Sequence, residues 1–337
     1  MLDFTSASST LVVGQQHHSY SPSSAISVIS DAHLARKITR EASTQTYITI
    51  RILADRPLAP DAYRAYAYFR WVDDIIDAPG MSKDARLTFV RRQQQIIRRC
   101  YAGMPHVDLC PEESLVSSLI AGDLDVEGGL HTYISQMMAV MAFDARRKGR
   151  LISQLELDIY TLRLSMAVTE ALHYFIGHDC ASPMNETRYL AVTAAHITHM
   201  LRDAVEDAQN GYFNIPRDYL EKHDLSPMDV NNVAYREWVK SRVELARKLF
   251  AGGRTNLAKV ENVRCRLAGY AYIARFEVVL DAIEKDNYLL RAEYPERKSK
   301  RAALQKGTAV LSQIWRSPDR IQSDCQAGPK ALRRIAG

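Results

Sequence analysis

Tyr66-Ala67-Tyr68-Phe69-Arg70-Trp71-Val72-Asp73-Asp74-Ile75-Ile76-Asp77 reads as an apolar helix with acids set into it. Asp73 and Asp77 are four residues apart, so they share one helix face, a turn from each other. Phe69, Trp71, Val72, Ile75 and Ile76 surround them. Anions beside aromatic and aliphatic groups are costly unless cations neutralise them. Leu201-Arg202-Asp203-Ala204-Val205-Glu206-Asp207 repeats the spacing with Asp203 and Asp207. A hard cation suits such oxygen donors: Mg2+, with Mn2+ as the alternative, held by a few carboxylates and completed by water and phosphate. One such acid pair arises easily by chance in a chain with 39 acidic residues, and is then a solvated face. Recurrence beside Arg70 and Arg202 favours a device that grips a diphosphate.

At these residues the chain resembles the squalene/phytoene synthase family, the head-to-head isoprenoid diphosphate synthases. The family's Y-x-x-x-R-x-x-D-D-x-x-D helix is matched by Tyr66, Arg70, Asp73, Asp74 and Asp77. Its L-R-D-x-x-E-D motif, followed by a Gly turn and a proline, is matched by Leu201–Asp207, Gly211 and Pro216. A third match lies at Leu280-Asp281 and Tyr288, and the similarity runs from Ile38 to Tyr294. The resemblance implies an all-α, single-domain isoprenoid-synthase-type bundle with a central apolar cavity, its two acidic helices facing across one mouth. It implies cations on Asp73, Asp74, Asp77, Asp203 and Asp207, which supply Lewis-acid stabilisation of the leaving group. Arg70 and Arg202 would contact phosphate, or simply pair with their neighbouring aspartates. Tyr66, Gln45, Tyr47, His196 and His199 would lie around the substrate. Tyr160 matches the first tyrosine of the family's Y-C-x-x-V-A-G stretch; it either shapes or deprotonates cationic intermediates, or is a core tyrosine. The implied reaction joins two C15 or C20 prenyl diphosphates through their C1 ends, by way of a cyclopropylcarbinyl diphosphate, to a squalene, dehydrosqualene or phytoene type product.

The chain departs from the family pattern at several of these positions. Thr44-Gln45-Thr46-Tyr47 stands where the family has S-K-S/T-F, so neutral Gln45 replaces a lysine. His196 and His199 precede Arg202-Asp203 where the pattern has Gln and Asn. Leu164-Ser165-Met166 replaces V-A-G, and Asn214 stands where many bacterial members have tyrosine. The histidines share a face with Asp203 and read either as general bases or as core histidines. Two other functions therefore stay open: a single-substrate terpene cyclase on the same scaffold, and a non-catalytic relative.

The 337 residues, 47% hydrophobic, allow a large core. There is no GxGxxG or P-loop pattern, so the sequence does not support NADPH or another nucleotide. Five cysteines without CxxC or Cys/His spacing read as reduced thiols of a cytoplasmic protein. The Ser-rich opening lacks a basic start followed by an apolar run, which argues against a secretory signal. No apolar run is long enough to span a bilayer, so membrane contact would be peripheral. The net charge of +5 is uneven: from Glu296 onward ten basic residues face three acids. With Leu304, Leu311, Ile314 and Trp315 near one helical face, that tail reads as a helix on an anionic lipid surface or as a solvated end. Trp315 is the tail's one aromatic residue, which disfavours nucleic acid.

Residues 1–30 read as disordered, 31–295 as the helical domain and 296–337 as the basic tail. Helices are expected over 30–40 with a segment to 53, then from an Asp61 N-cap to about 77, and over 83–101, from 112, 130–146 and 155–176. Further helices are expected over 186–210, from a Ser226 N-cap with Pro227 to 249, and over 256–288, with 211–218 as a loop.

Overall fold

The computed structural model describes residues 30–104, 108–123, 125, 127–178 and 180–298, and among them no strand forms. The disorder expected at the N-terminus falls, except for Ser30, outside the described residues. So does the stretch from Leu304 to Trp315. The fold is all-α, and its helices fall into two compact units.

Unit 1 holds α1 (Asp31–Ala42), α2 (Thr44–Leu53), α3 (Ala59–Asp77), α5 (Pro111–Ala121) and the part of α4 (Lys83–Tyr101) from Arg91 on. Ser30 caps α1, and Ser43, between α1 and α2, accepts from the Thr46 amide. The acidic helix α3 packs against α1, α2 and α5. Tyr66, Tyr68, Phe69, Val72 and Ile76 are buried, which fixes its rotation. A buried polar network reinforces this. Tyr68 donates to Gln93 Oε1 (3.0 Å), and Gln93 donates to Glu113 (2.8 Å), which also takes Arg92 at 2.7 Å. Arg64 ties α3 to α1 through Asp31 (3.0 Å).

Unit 2 contains residues 81–90 and the chain from Asp125 onward. Its helices are α6 (Gly129–Arg147), α7 (Gln154–Phe175), α8 (Leu190–Gln209), α9 (Arg217–His223), α10 (Val233–Leu257) and α11 (Val263–Lys285). The second acidic helix, α8, is central: α7, α10 and α11 all pack on it. Almost every side chain from Ala191 to Ala204 is therefore buried, His196, His199, Arg202 and Asp203 included. A cavity of about 30 Å3 lies beside Thr169, His173, Arg188, Cys265 and Tyr272. It has room for water rather than for a hydrocarbon chain.

Several element boundaries differ from expectation. Asp61 is not the N-cap of α3, which begins at Ala59 because Pro60 suits the first helical positions, leaving Asp61 in the first turn bonded to Arg64 (2.6 Å). Ser226 opens a turn instead of a helix: its amide donates to Asp229 (2.7 Å), and Asn232 caps α10. The expected loop over 211–218 gives way to α9 at Arg217. Residues 186–189 form a 3-10 turn before α8, and Tyr288, at φ +61°, lies beyond α11.

Helix α10 runs to Leu257, past Gly252 and Gly253, because a glycine there lets it approach α8. A Cβ on Gly253 would lie 2.7 Å from Ala191 Cβ and 2.8 Å from its backbone. A Cβ on Gly252 would meet only the Leu190 Cδ1 methyl, at 2.7 Å. Gly253→Ala is expected to cost about 1–3 kcal/mol by overpacking. Gly252→Ala should be neutral or stabilising, since Leu190 can turn aside and alanine gains up to about 1 kcal/mol of helix propensity. Urea unfolding midpoints test this, and equal effects at the two positions would refute the close approach.

Candidate active site

The two acidic motifs lie in different units. In unit 1 the buried face of α3 turns Asp73 partly, and Asp74 and Asp77 largely, toward solvent. Arg70 binds Asp74 at 2.5 Å and reaches Asp73 at 3.8 Å. Burial works against the Arg70 charge, but Asp74 and then Asp73 outweigh it, and its pKa is raised. Tyr66 is buried in the core of the unit. Tyr47 packs on Tyr63 (5.3 Å between rings) and its carbonyl accepts from the Tyr63 hydroxyl (3.1 Å). Gln45 is exposed.

In unit 2 the carboxylates are deeper. Arg202 forks onto both oxygens of Asp203 at 2.5 Å and contacts His199 Nε2 at 2.6 Å. His199 Nδ1 lies 3.2 Å from the same carboxylate. One turn on, part of Asp207 reaches the surface, but its carboxylate sits among neighbouring atoms. That burial, with the nearby Asp203 charge, pushes its pKa up to about 7 against the pull of Arg147 and Asn214. The Asn214 amide donates to Asp207 Oδ2 at 2.6 Å. His196 packs against Tyr160 (5.1 Å between rings), and its Nε2 has no hydrogen-bond partner among the described residues. Burial and then Arg147 push its pKa down to about 3, so it is a neutral imidazole.

Sequence reading passed over Asp144 and Arg147. Tyr160 donates to Asp144 (3.1 Å), and Asp144 accepts from Arg147 Nε (2.6 Å). Arg147 stacks on Tyr160 at 4.7 Å and Tyr212 at 5.1 Å. The signal was an Asp and an Arg three apart at the end of an apolar helix, which by itself resembles any surface pair. Among the described residues no three His, Cys, Asp or Glu side chains converge to hold a metal alone.

The squalene/phytoene synthase family model matches residues 39–307, most of the chain. The chain belongs to the squalene/phytoene synthase family. By that membership it is a prenyltransferase. It is 25% identical over 274 residues to the 15-cis-phytoene synthase of Synechocystis sp., covering 75% of this chain and 78% of that one. It is 29% identical over 192 residues to the presqualene diphosphate synthase of Zymomonas mobilis, covering 56% and 61%. The fold is similar to the squalene synthase HpnC of Alicyclobacillus acidocaldarius (TM-score 0.60, 19% identity, 77% of this chain and 95% of that one). It is likewise similar to a ligand-bound dehydrosqualene synthase (TM-score 0.62, 17% identity, 85% and 96%).

This family member should show a pH dependence of stability traceable to His196. An unfolded histidine takes a proton below its ordinary value of 6.5, whereas folded His196 refuses one until about 3. Stability is thus lost as pH falls from about 6.5 toward 3. His173, pushed down to about 4 mainly by burial, adds in the same direction. Between pH 7.5 and 4.5, His196→Gln should lose less stability to urea than the parent; identical slopes would place a protonated His196 in the fold.

Proposed function

We propose that the chain condenses two prenyl diphosphates head-to-head with loss of two pyrophosphates and two protons, giving a phytoene or dehydrosqualene type product (a squalene type product where a hydride donor replaces the second proton loss), and that it uses Mg2+ or Mn2+. The observation that supports this most is the second acidic motif, intact within the family match, with buried Asp203 and half-buried Asp207 both held by side chains. The donor set suits a cation that arrives with its diphosphate, since Mg2+ characteristically takes one or two carboxylates and keeps water and phosphate for the rest. Asp73, Asp74 and Asp77 on α3 and Asp203 and Asp207 on α8 would hold such cations. When bound, the cation supplies Lewis-acid neutralisation of the departing pyrophosphate.

The chain's own residues would do the rest. Arg70 and Arg202, now paired with aspartates, would share their forks with phosphate oxygens. The allylic C–O bond breaks with its electron pair leaving on pyrophosphate, the C1 cation is captured by the second substrate's alkene, and loss of a proton from the adduct closes the cyclopropane. Tyr160, whose hydroxyl donates to Asp144, would shape or deprotonate the cationic intermediates. A second reading, a single-substrate cyclase, draws on His196: its buried nitrogen, without a hydrogen-bond partner among the described residues, stands where the family pattern has glutamine, a place for a different termination step. Substrates of C15 or C20 length fit either reading, and the basic tail would hold the enzyme at an anionic membrane surface.

Purified protein with Mg2+ and labelled C15 or C20 diphosphate should yield a product of doubled carbon number. A product of unchanged carbon number would establish the cyclase instead. Asp73→Asn and Asp207→Asn should each slow pyrophosphate release by more than about 100-fold, and full turnover in excess EDTA would rule the cation out. Because Asp207 holds its proton up to about pH 7, cation binding must displace it. Apparent Mg2+ affinity should rise with pH to about 7 and level off above.

The tail carries its own test. Anionic liposomes should retain the protein at low salt and release it at high salt. Unchanged retention after removal of residues 297–337 would mean that the tail is solvated and takes no part.

A further inference from the structure

Arg147 is a buried cation (5% exposed) whose ion-pair partner, Asp144, lies on its own helix. That pair uses Nε (2.6 Å). A second nitrogen, Nη1, reaches out of the pair and donates to Asn214 Oδ1 at 3.0 Å. Asn214, 6% exposed, then donates from Nδ2 to Asp207 Oδ2 at 2.6 Å. Only one orientation of the Asn214 amide satisfies both bonds: Arg147 can only donate, so the amide oxygen faces it and the amide nitrogen is left for Asp207. The polarity therefore runs one way, from guanidinium through amide to carboxylate.

The backbone makes this relay rigid. Gly149 donates to the Gly211 carbonyl (2.8 Å), and Arg217 donates to the Ile152 carbonyl (2.7 Å). These bonds bind the chain after Arg147 to the two sides of Asn214. Gly211, at φ +81°, closes on Gly149 so tightly that a Cβ would lie 3.3 Å from its amide nitrogen. The Tyr212 amide donates to the Asp207 carbonyl (2.8 Å), so Asn214 starts from the end of α8 itself. The rings of Tyr160 and Tyr212 hold the guanidinium in place.

We infer that Arg147 and Asn214 are positioning residues: together they fix Oδ2 of Asp207 and turn the carboxylate's other oxygen toward an incoming cation–diphosphate complex. The inference rests on the proposed cation role of Asp207, and goes beyond it in assigning the two residues that orient that ligand. Groups that orient metal ligands commonly matter to affinity nearly as much as the ligands do.

The test is calorimetric titration with Mn2+ and inorganic pyrophosphate of the full chain, Asn214→Ala, Arg147→Met, the double variant and Asp207→Asn, with far-UV circular dichroism on each. Each single variant should bind about 10-fold to 100-fold more weakly than the parent, the range seen when such orienting partners are removed. The double variant should be no weaker than its weaker parent, because both changes break one chain of bonds. Independent, multiplying losses would overturn the relay. So would a parent that binds and an Asp207→Asn variant that does not, while Asn214→Ala binds like the parent. A parent that fails to bind Mn2+ and pyrophosphate would remove the cation reading itself, and the relay with it. If Arg147→Met does not fold, Asn214→Ala decides alone.

Discussion

A charge cannot be buried among helices without an answer from its neighbours, and unit 2 is arranged around that constraint. Because α7, α10 and α11 all pack on α8, the helix is enclosed over most of its length, and its ionisable groups go with it. A buried charge left alone costs several kcal/mol even after relaxation. Each is accordingly met at short range. Arg202 forks onto Asp203, and Arg188 onto Glu170 at 2.7 Å. Asp207, with no cation in direct contact among the described residues, is reached by Arg147 through an amide. His196 takes the other course and stays neutral.

The two acidic motifs, alike in spelling, are therefore different chemical objects. On α3 the acids lie near the surface: Asp74 is 53% exposed at its side chain, and Arg70 serves Asp74 and Asp73 at once. On α8 the carboxylates are more enclosed, and burial, with the Asp203 charge after it, makes a proton a real competitor at Asp207. Spacing does not carry this difference. It comes from which helix the fold surrounds.

The helical class and the placement of the acids were legible because apolar periodicity and the i, i+4 rule depend only on local geometry. α4 was expected over 83–101 and forms there. What could not be read were features decided by a distant partner. Gly252 and Gly253 look like a helix stop, yet α10 continues because Ala191 needs the space. Ser226 and Pro227 look like a helix start, yet the turn closes on Asp229. Arg147 looks like a surface arginine, since nothing local announces that Asn214, 67 residues later, will lie against it.

The departures from the family pattern gain meaning from the same contacts. Gln45, on α2, belongs to unit 1. His196, His199 and Asn214 all border the second motif: His199 closes a triangle with Arg202 and Asp203, and His196 and Asn214 both answer to Arg147. A substitution at one of these positions alters the field at the others, because in a low-dielectric interior charges a few ångströms apart are weakly screened. A tyrosine in place of Asn214 has one hydroxyl where the amide has separate donor and acceptor ends. It would have to accept from Arg147 and donate to Asp207 through that one oxygen, where the amide spaces the two bonds across separate atoms. The asparagine lets a buried cation act on a buried anion without touching it, so Asp207 is steadied while remaining able to exchange its proton for a metal ion.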